Sequence, residues 1–489
     1  MAKIRLLLLF FCILLVFLYV KTAAKAENFD PNNIISDLEI LDHTSMDLAD
    51  IQKFLENKGS YLANYSCPDS NGVIRKASEI IYNAAVKNYD CDGATLSDNP
   101  TEAEKILKCR KITISPKFLL VLLQKEQSLI EEASPSERNL NWATGYGCPD
   151  SGGCNSRWLG FGKQVNSAAL QFRDYLDNPQ FYTYKAGNTY TFTNPYGTIS
   201  KEPMTVTPVN QATAALYNYT PHVYNGNYNF YKIWQRYFTK TYYDGSLLQA
   251  DGEIGVWLIQ NGLKRPFISK AALVSRFDQN KIIKVNKSDL DAYDKGAPIK
   301  FAQYSLIRSP RGTIFLLVDD KKRGFATTEA FRMMGFNPDE VVNASWEDIN
   351  AYLDGMPITA SSTYPTGALL QDNKTGGVYY VEEGTKAPLL DKIFLTTKFK
   401  NKKIIKATPE ELTQYQTLEP VKFDDGELLK SAISNSVFVI ANGKKLPITS
   451  GKIFEQLGYK WENIYTVPPQ VLYLYDQGEP ITEATINNE

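Results

Sequence analysis

Apolar positions along residues 118–133, "FLLVLLQKEQSLIEEA", recur at helical spacing through Leu119, Leu122, Leu123, Leu129, Ile130 and Ala133. Glu126 falls on the same stripe. The pattern predicts a buried helix with a carboxylate in the middle of its apolar face. Four other stretches between about 46 and 240 carry helical signals. "SMDLADIQKFLENKG" has Ser45 as its expected cap and Gly59 as its stop. "GVIRKASEIIYNAAVKN" places Ile74, Ala77, Ile81 and Ala84 on one face, and "QVNSAALQFRDYL" and "NYNFYKIWQRYF" follow. Pro116 suits the first turn of the Glu126 helix. Between the last two, "FYTYKAGNTYTFTNPYGTIS" alternates like a polar, aromatic hairpin.

Past a junction at about 239–244 the pattern changes and repeats. "GSLLQ", "YSLIR", "GALLQ" and "GELLK" are each followed by a hairpin-like run: "VWLIQNGLKRPF", "IFLLVDDKKRGF", "VYYVEEGTKAPL" and "VFVIANGKKLPI". Tyr293, Tyr352, Tyr415 and Tyr475 recur with Pro298, Pro357, Pro420 and Pro480 a few residues on. This predicts four units of about 60 residues, near 243–300, 301–360, 364–422 and 423–482. Each holds a strand, a hairpin over a Gly or Asp turn, a short helix, another strand and a helical turn. The second unit lacks the proline before its Phe325, as expected of an edge or a drifted copy. The expected fold class is α+β: a mainly helical domain over 27–240, then a β-rich array over 241–489.

Composition adds limits. The 489 residues exceed one ordinary core, and a formal net charge of -1 gives no field that would draw nucleic acid. With only two histidines, His43 and His222, a multi-histidine zinc site is not expected, and neither a metal nor a cofactor is called for. Lys3 and Arg5 precede an apolar run over 6–20 and "AKA" at 24–26, the pattern of a signal peptide over 1–26. An uncleaved anchor is the alternative, and would be the chain's one contact with a membrane. Either way the rest is expected to be secreted or at the cell surface. Cys12 lies in that segment, and the other five cysteines fall between 67 and 154. Cys148 with Cys154, and Cys91 with Cys109, are the expected disulfides, leaving Cys67 over. Cysteine catalysis would have only His222 as a partner, and is disfavoured.

A buried carboxylate is costly when ionised and unpaired, and burial that favours its protonated form suits a general acid. The bland alternative is a glutamate at the helix edge, paired with Lys125 or a distant arginine. "LLVLLQKEQSLI" resembles the catalytic helix of lysozyme-like, lytic-transglycosylase-type enzymes, with Ser128 one place later than the usual small hydroxyl residue. "LGFGKQV" is similar to the segment that lines the sugar groove in that family, through Gly160 and Gln164, and "TAALYNYTPH" to the late helix with its tyrosine–asparagine pair. The resemblance spans about 40–240. It implies peptidoglycan glycan as substrate, Glu126 as catalytic acid, Tyr217 with Asn218 across the cleft, and Tyr146, Trp158, Phe161, Tyr217 and Tyr219 as candidate sugar-stacking rings, although any one such ring is more often core or rim. Asp150 is the one candidate second carboxylate, although a turn role after Pro149 explains it as well. Three readings stay open: a muramidase or lytic transglycosylase, a β-N-acetylglucosaminidase using the same Glu126, and a non-catalytic glycan-binding or adhesion protein. The repeats would attach the chain to envelope polymers. An open groove with aromatic walls beside Glu126 favours an enzyme, whereas a salt bridge there favours a binder.

Overall fold

The computed structural model describes residues 29–98, 100–149, 152–193 and 203–486. The signal segment over 1–26 and Asp150 lie outside the described residues. Residues 194–202 lie outside them too; of the hairpin expected over 181–200, Tyr190–Phe192 is a strand, and it pairs with Met204–Val206 beyond the expected end. Helix and sheet are both present, the first part mainly helical with three two-stranded hairpins and the second built on larger sheets with short helices.

The first part is helical: α1 (Asp37–Leu41), α2 (Leu48–Asn57), α3 (Ala77–Val86), α4 (Glu102–Lys108), α5 (Pro116–Gln127), α6 (Glu137–Asn141), α7 (Phe161–Asp177), α8 (Gln211–Tyr219) and α9 (Tyr228–Phe238). Two boundaries differ from the sequence reading, and both for local polar reasons. The cap of α2 is Asp47, not Ser45, because Asp47 and Asp50 form a reciprocal capping box. Ile74 is 66% exposed in a short hairpin strand and shares no face with Ala77, since α3 begins only at Ala77. Helix α5 runs through the centre of this part. From Phe118 to Gln124 it is buried on every side, and Phe118 packs on Phe172 of α7 at 4.6 Å and Phe230 of α9 at 5.2 Å. One continuous core, from Ile34 to Phe238, unites all these helices except α4, which is tethered over 91–109 by Cys91–Cys109. Cys148 and Cys154 are also bonded, and Cys67 is a buried free thiol. Disulfides of this kind mark an oxidising, extracytoplasmic compartment.

The second part holds four five-stranded sheets of one design. In the third, Ala368–Asp372, Val378–Glu382 and Thr385–Pro388 form an antiparallel meander. Ile404–Ala407 then joins the first strand in parallel, and Gln416–Thr417 joins the third in parallel. That two-residue fifth strand has no apolar signal of its own. Two of the four recurring tyrosines have a mechanical explanation. Tyr293 Oη accepts from Tyr242 N at 2.5 Å and donates to Tyr242 O, and Tyr475 Oη pairs with the Phe423 backbone in the same way. Each pins the chain where it enters its sheet.

The sheets share cores. Leu248, Ile259 and Ile283 of the first pack with Leu428, Val439 and Phe454 of the fourth, and Leu369 and Phe394 of the third with Leu429 and Ile440 of the fourth. Gly245 and Gly426 meet backbone to backbone, so a Cβ on either would stand 2.0–2.3 Å from the other strand's main chain. The array also docks on the helical part. Lys240 N donates to Asp289 at 2.7 Å, and Ser288 N to the buried Glu39 at 3.2 Å.

Candidate active site

Glu126 does not sit in the middle of a buried stripe. Helix α5 stops at Gln127, and Ser128 takes a left-handed backbone (φ 57°) whose N–H caps Gln124 O. Leu129 and Ile130 are buried as expected, but they reach the core through this turn and not through a continued helix. Gln124 holds the turn: its Oε1 accepts from Ile130 N and Glu131 N, and its Nε2 donates to Glu131. The carboxylate is therefore presented at the end of a rigid, buried helix, with 22% of the side chain exposed.

Lys125 is the neighbour the sequence named only as an alternative. Its side chain is 6% exposed, and Nζ lies 2.5 Å from Glu126 Oε1 and 2.7 Å from Thr220 Oγ1. Residues adjacent in a helix do not face each other. The long lysine chain folds across to Glu126, and Thr220, just after α8, fixes its far end.

Opposite stands the loop "ATGYG". A Cβ on Gly145 would lie 3.6 Å from Glu126 Oε2, so the backbone there faces the carboxylate (φ 71°). Tyr219 donates from Oη to Thr144 O at 2.7 Å. Burial first, and the charge of Glu126 next, push the Tyr219 hydroxyl well above its ordinary value. It is a neutral donor at any working pH.

Gln164 acts behind this loop, not in a groove. It is fully buried, and Oε1 accepts from Thr144 N, Thr144 Oγ1 and Tyr146 N. Its Nε2 donates to the carbonyls of Tyr146 and Trp158, both at 2.9 Å. All its polar capacity goes into fastening the 144–158 loop. Tyr217 also departs from the expectation. It is 0% exposed, stacks on Phe192 at 4.5 Å and donates to Pro31 O at 2.9 Å. The tyrosine that reaches the site is Tyr219, two places later. A helical step of two residues turns the side chain to the other face. Asn218 clamps Tyr184 through both its N–H and carbonyl. Phe161 is 2% exposed and packs edge-on against Tyr65, so it offers no open face to a sugar. Tyr146 and Trp158, half-buried and 5.2 Å apart, form one wall, with Arg157 over the indole.

Sequence reasoning missed Lys125's tether, the backbone at Gly145, and a set of tyrosines. Tyr175 meets Tyr182 edge-on at 4.5 Å, and Tyr182 is hydrogen-bonded to Asp174, its hydroxyl pushed up to about 12 by burial and then by that bond. Asp174 is the carboxylate nearest this cluster, and both its oxygens are engaged, by Tyr182 and Asn178. Glycine before an aromatic residue in "TGYG" was the available signal for Gly145. The tyrosine set had none, since its members come from separate segments.

A family model described as "LasA, N-terminal domain" matches residues 33–249, less than half of the chain. No curated protein matches. Among solved structures, the periplasmic assembly from the ESX-5 inner membrane complex aligns at 9% identity over 51% of this chain and 95% of that one, with a TM-score of 0.13. The EccB3 dimer from the ESX-3 core complex aligns at 11% identity over 49% of this chain and 99% of that one, with the same score. Scores this low do not speak for a shared fold. What the comparisons carry is a likeness of the helical part, with the first strand that follows it, to the LasA N-terminal domain.

Proposed function

We propose that the chain is an extracytoplasmic enzyme that cleaves the glycan of peptidoglycan, with Glu126 as its single acid–base group. The observation that supports this is the placement of Glu126. It is a part-open carboxylate on the end of a buried helix, facing the Gly145 backbone, beside a neutral Tyr219 hydroxyl, and the loop that carries Gly145 continues into Tyr146, which packs on Trp158. A hydrolase of the usual kind needs a second carboxylate at a set separation. Asp174 is held by Tyr182 and Asn178, and Asp150, the one candidate the sequence offers, lies outside the described residues. One glutamate suffices for a lytic transglycosylase. Glu126 gives a proton to the glycosidic oxygen as the C1–O bond breaks. It then takes the proton of the sugar's own 6-hydroxyl while that oxygen bonds to C1. The four sheets would hold the enzyme to envelope polymers.

A second reading, a glycan-binding protein without catalysis, draws on the buried Lys125 ion pair, which leaves Glu126 a structural partner. Mass spectrometry of purified peptidoglycan after incubation separates the two. The parent is expected to release anhydro-ended fragments, and Glu126→Gln to lose roughly 10²–10⁴ in rate. Equal digestion by both removes Glu126 from the chemistry. Digestion by neither favours the binder.

A further inference from the structure

Beside the segment that follows α5 lies a groove that none of the site residues above lines. It is open, about 670 Å³, and lined by Gly59, Ser60, Tyr61, Asn64, Tyr65, Ser66 and Ala133. No charged side chain is among them. Tyr61 is 40% exposed and its ring lies 5.5 Å from that of Tyr65. Asn64 and Ser66 are exposed alongside. Burial first, and Cys67 next, raise the Tyr65 hydroxyl to about 12; it stays neutral and is hydrogen-bonded to Cys67.

The floor is rigid. Ser60 caps the turn Tyr61–Ala63 through Leu62 N and donates from Oγ to Leu129 O at 3.1 Å. That bond ties the groove to the chain three residues beyond Glu126. On the other flank Tyr65 abuts Phe161, which follows the Trp158 wall by three residues. The groove is thus tied by one hydrogen bond to the turn that follows α5 and by one ring contact to the start of α7. An exposed aromatic face beside amide and hydroxyl groups, with no charge, suits a ligand that is neutral, amphipathic and rich in hydroxyls and amides. No charged side chain lines the groove, and the Glu137 carboxylate, close enough to act on Tyr65, would repel an acidic ligand.

From this we infer that the Tyr61–Tyr65 groove is a carbohydrate subsite, taking neutral N-acetylhexosamine rings of a glycan strand some way along from the bond at Glu126. The inference rests on the function proposed above. Tyr61 stacks on a sugar face and Asn64 bonds its amide or hydroxyls, so long strands are held better than short ones.

Calorimetric titration of the full chain with N-acetylglucosamine oligomers of two and six units tests it, using Glu126→Gln as background so that no oligomer is consumed. The background protein is expected to bind the hexamer more tightly than the dimer. Adding Tyr61→Ala should weaken the hexamer roughly tenfold, the scale of losing one aromatic anchor, and leave the dimer unchanged. Tyr61 is exposed, so the melting temperature should not move. Equal hexamer affinity with and without the Tyr61 ring, or no preference for length, overturns the subsite and leaves Glu126 untouched. Binding of neither oligomer, together with no cleavage by the parent, overturns both.

Discussion

The helical part and the sheet array solve the same problem, burying apolar surface, in different ways. The helical part gathers residues from Ile34 to Phe238 into one core. It leaves an irregular polar seam at the end of α5. The array divides its burial among six smaller clusters, and two of these straddle neighbouring sheets. Its charged groups are consumed in the same task. Asp320 of the second sheet receives Gln260 and Arg276 from the first. Glu383 of the third receives Lys321 and Arg323 from the second, and Glu427 of the fourth receives Lys281 from the first. Repetition sets these charged positions against a neighbouring sheet. A chemically free site is easier to build where one core supports non-equivalent loops.

The sharpest break of that contrast is at the two glycines. Gly426→Val would force a side chain into the Gly245 backbone, where even a Cβ lies 2.3 Å from Gly245 O, at a φ of 88°. The expected cost is about 3–5 kcal/mol, seen by calorimetry as a lower melting transition for the array. Cleavage of short soluble glycans should stay at the parent's level. A parallel loss of cleavage would mean the two parts are one cooperative unit.

Next in size is Gln164→Ala. It leaves the Tyr146 and Thr144 amides and two carbonyls without partners, at roughly 2–4 kcal/mol. Hydrogen exchange at Tyr146 N should quicken, and glycan cleavage should fall with it. Were Gln164 a sugar contact, the variant would instead weaken substrate binding and leave exchange at Tyr146 N unchanged.

That pair of outcomes also shows how far the sequence could be read. The α+β division was legible because hydrophobic spacing changes from 3.6 to 2 near residue 240, and hairpin residues such as Asn261, Gly262, Asn442 and Gly443 take the positive φ that their types favour. Both disulfides were legible because few cysteines compete. The Glu126 neighbourhood was only half legible. Periodicity carried the helix on to Ala133, because Leu129 and Ile130 do become buried, yet no pattern marks a left-handed serine as the stop. Gln164, Tyr217 and Phe161 were read as surface groups from motif position alone. Their burial depends on what the loop and α8 pack against, which one-dimensional spacing does not carry.

The seam between the two parts gives a smaller, pH-dependent test. Asp289 is 1% exposed, and burial raises its carboxyl from 3.8 to about 6, against the opposing pull of Lys240. An acid raised in the folded state supports folding when protonated. That support is complete below about pH 4 and is lost as pH rises through about 6. Asp289→Asn keeps an oxygen for the Lys240 amide and removes the charge. It should stabilise the chain by roughly 1–3 kcal/mol at pH 7.5 and by nothing at pH 4, measured by denaturant unfolding. A gain at both values would place the effect outside this carboxyl.

The finest discrimination lies between two tyrosines two residues apart. Tyr217→Phe removes the bond to Pro31 O, at about 1 kcal/mol, and should leave cleavage unchanged because the ring stays stacked on Phe192 within the core. Tyr219→Phe also removes one hydrogen bond, to Thr144 O, but that carbonyl adjoins Gly145, whose backbone faces Glu126. A loosened Thr144 shifts the wall opposite the carboxylate, so glycan cleavage should drop a few-fold, about 1 kcal/mol in barrier, for a similar loss in stability. Equal stability with unequal activity is the signature sought. If instead Tyr217→Phe slowed cleavage and Tyr219→Phe did not, the cleft would have to open on the other face of α8, and the placement of the site beside Gly145 would fall with it.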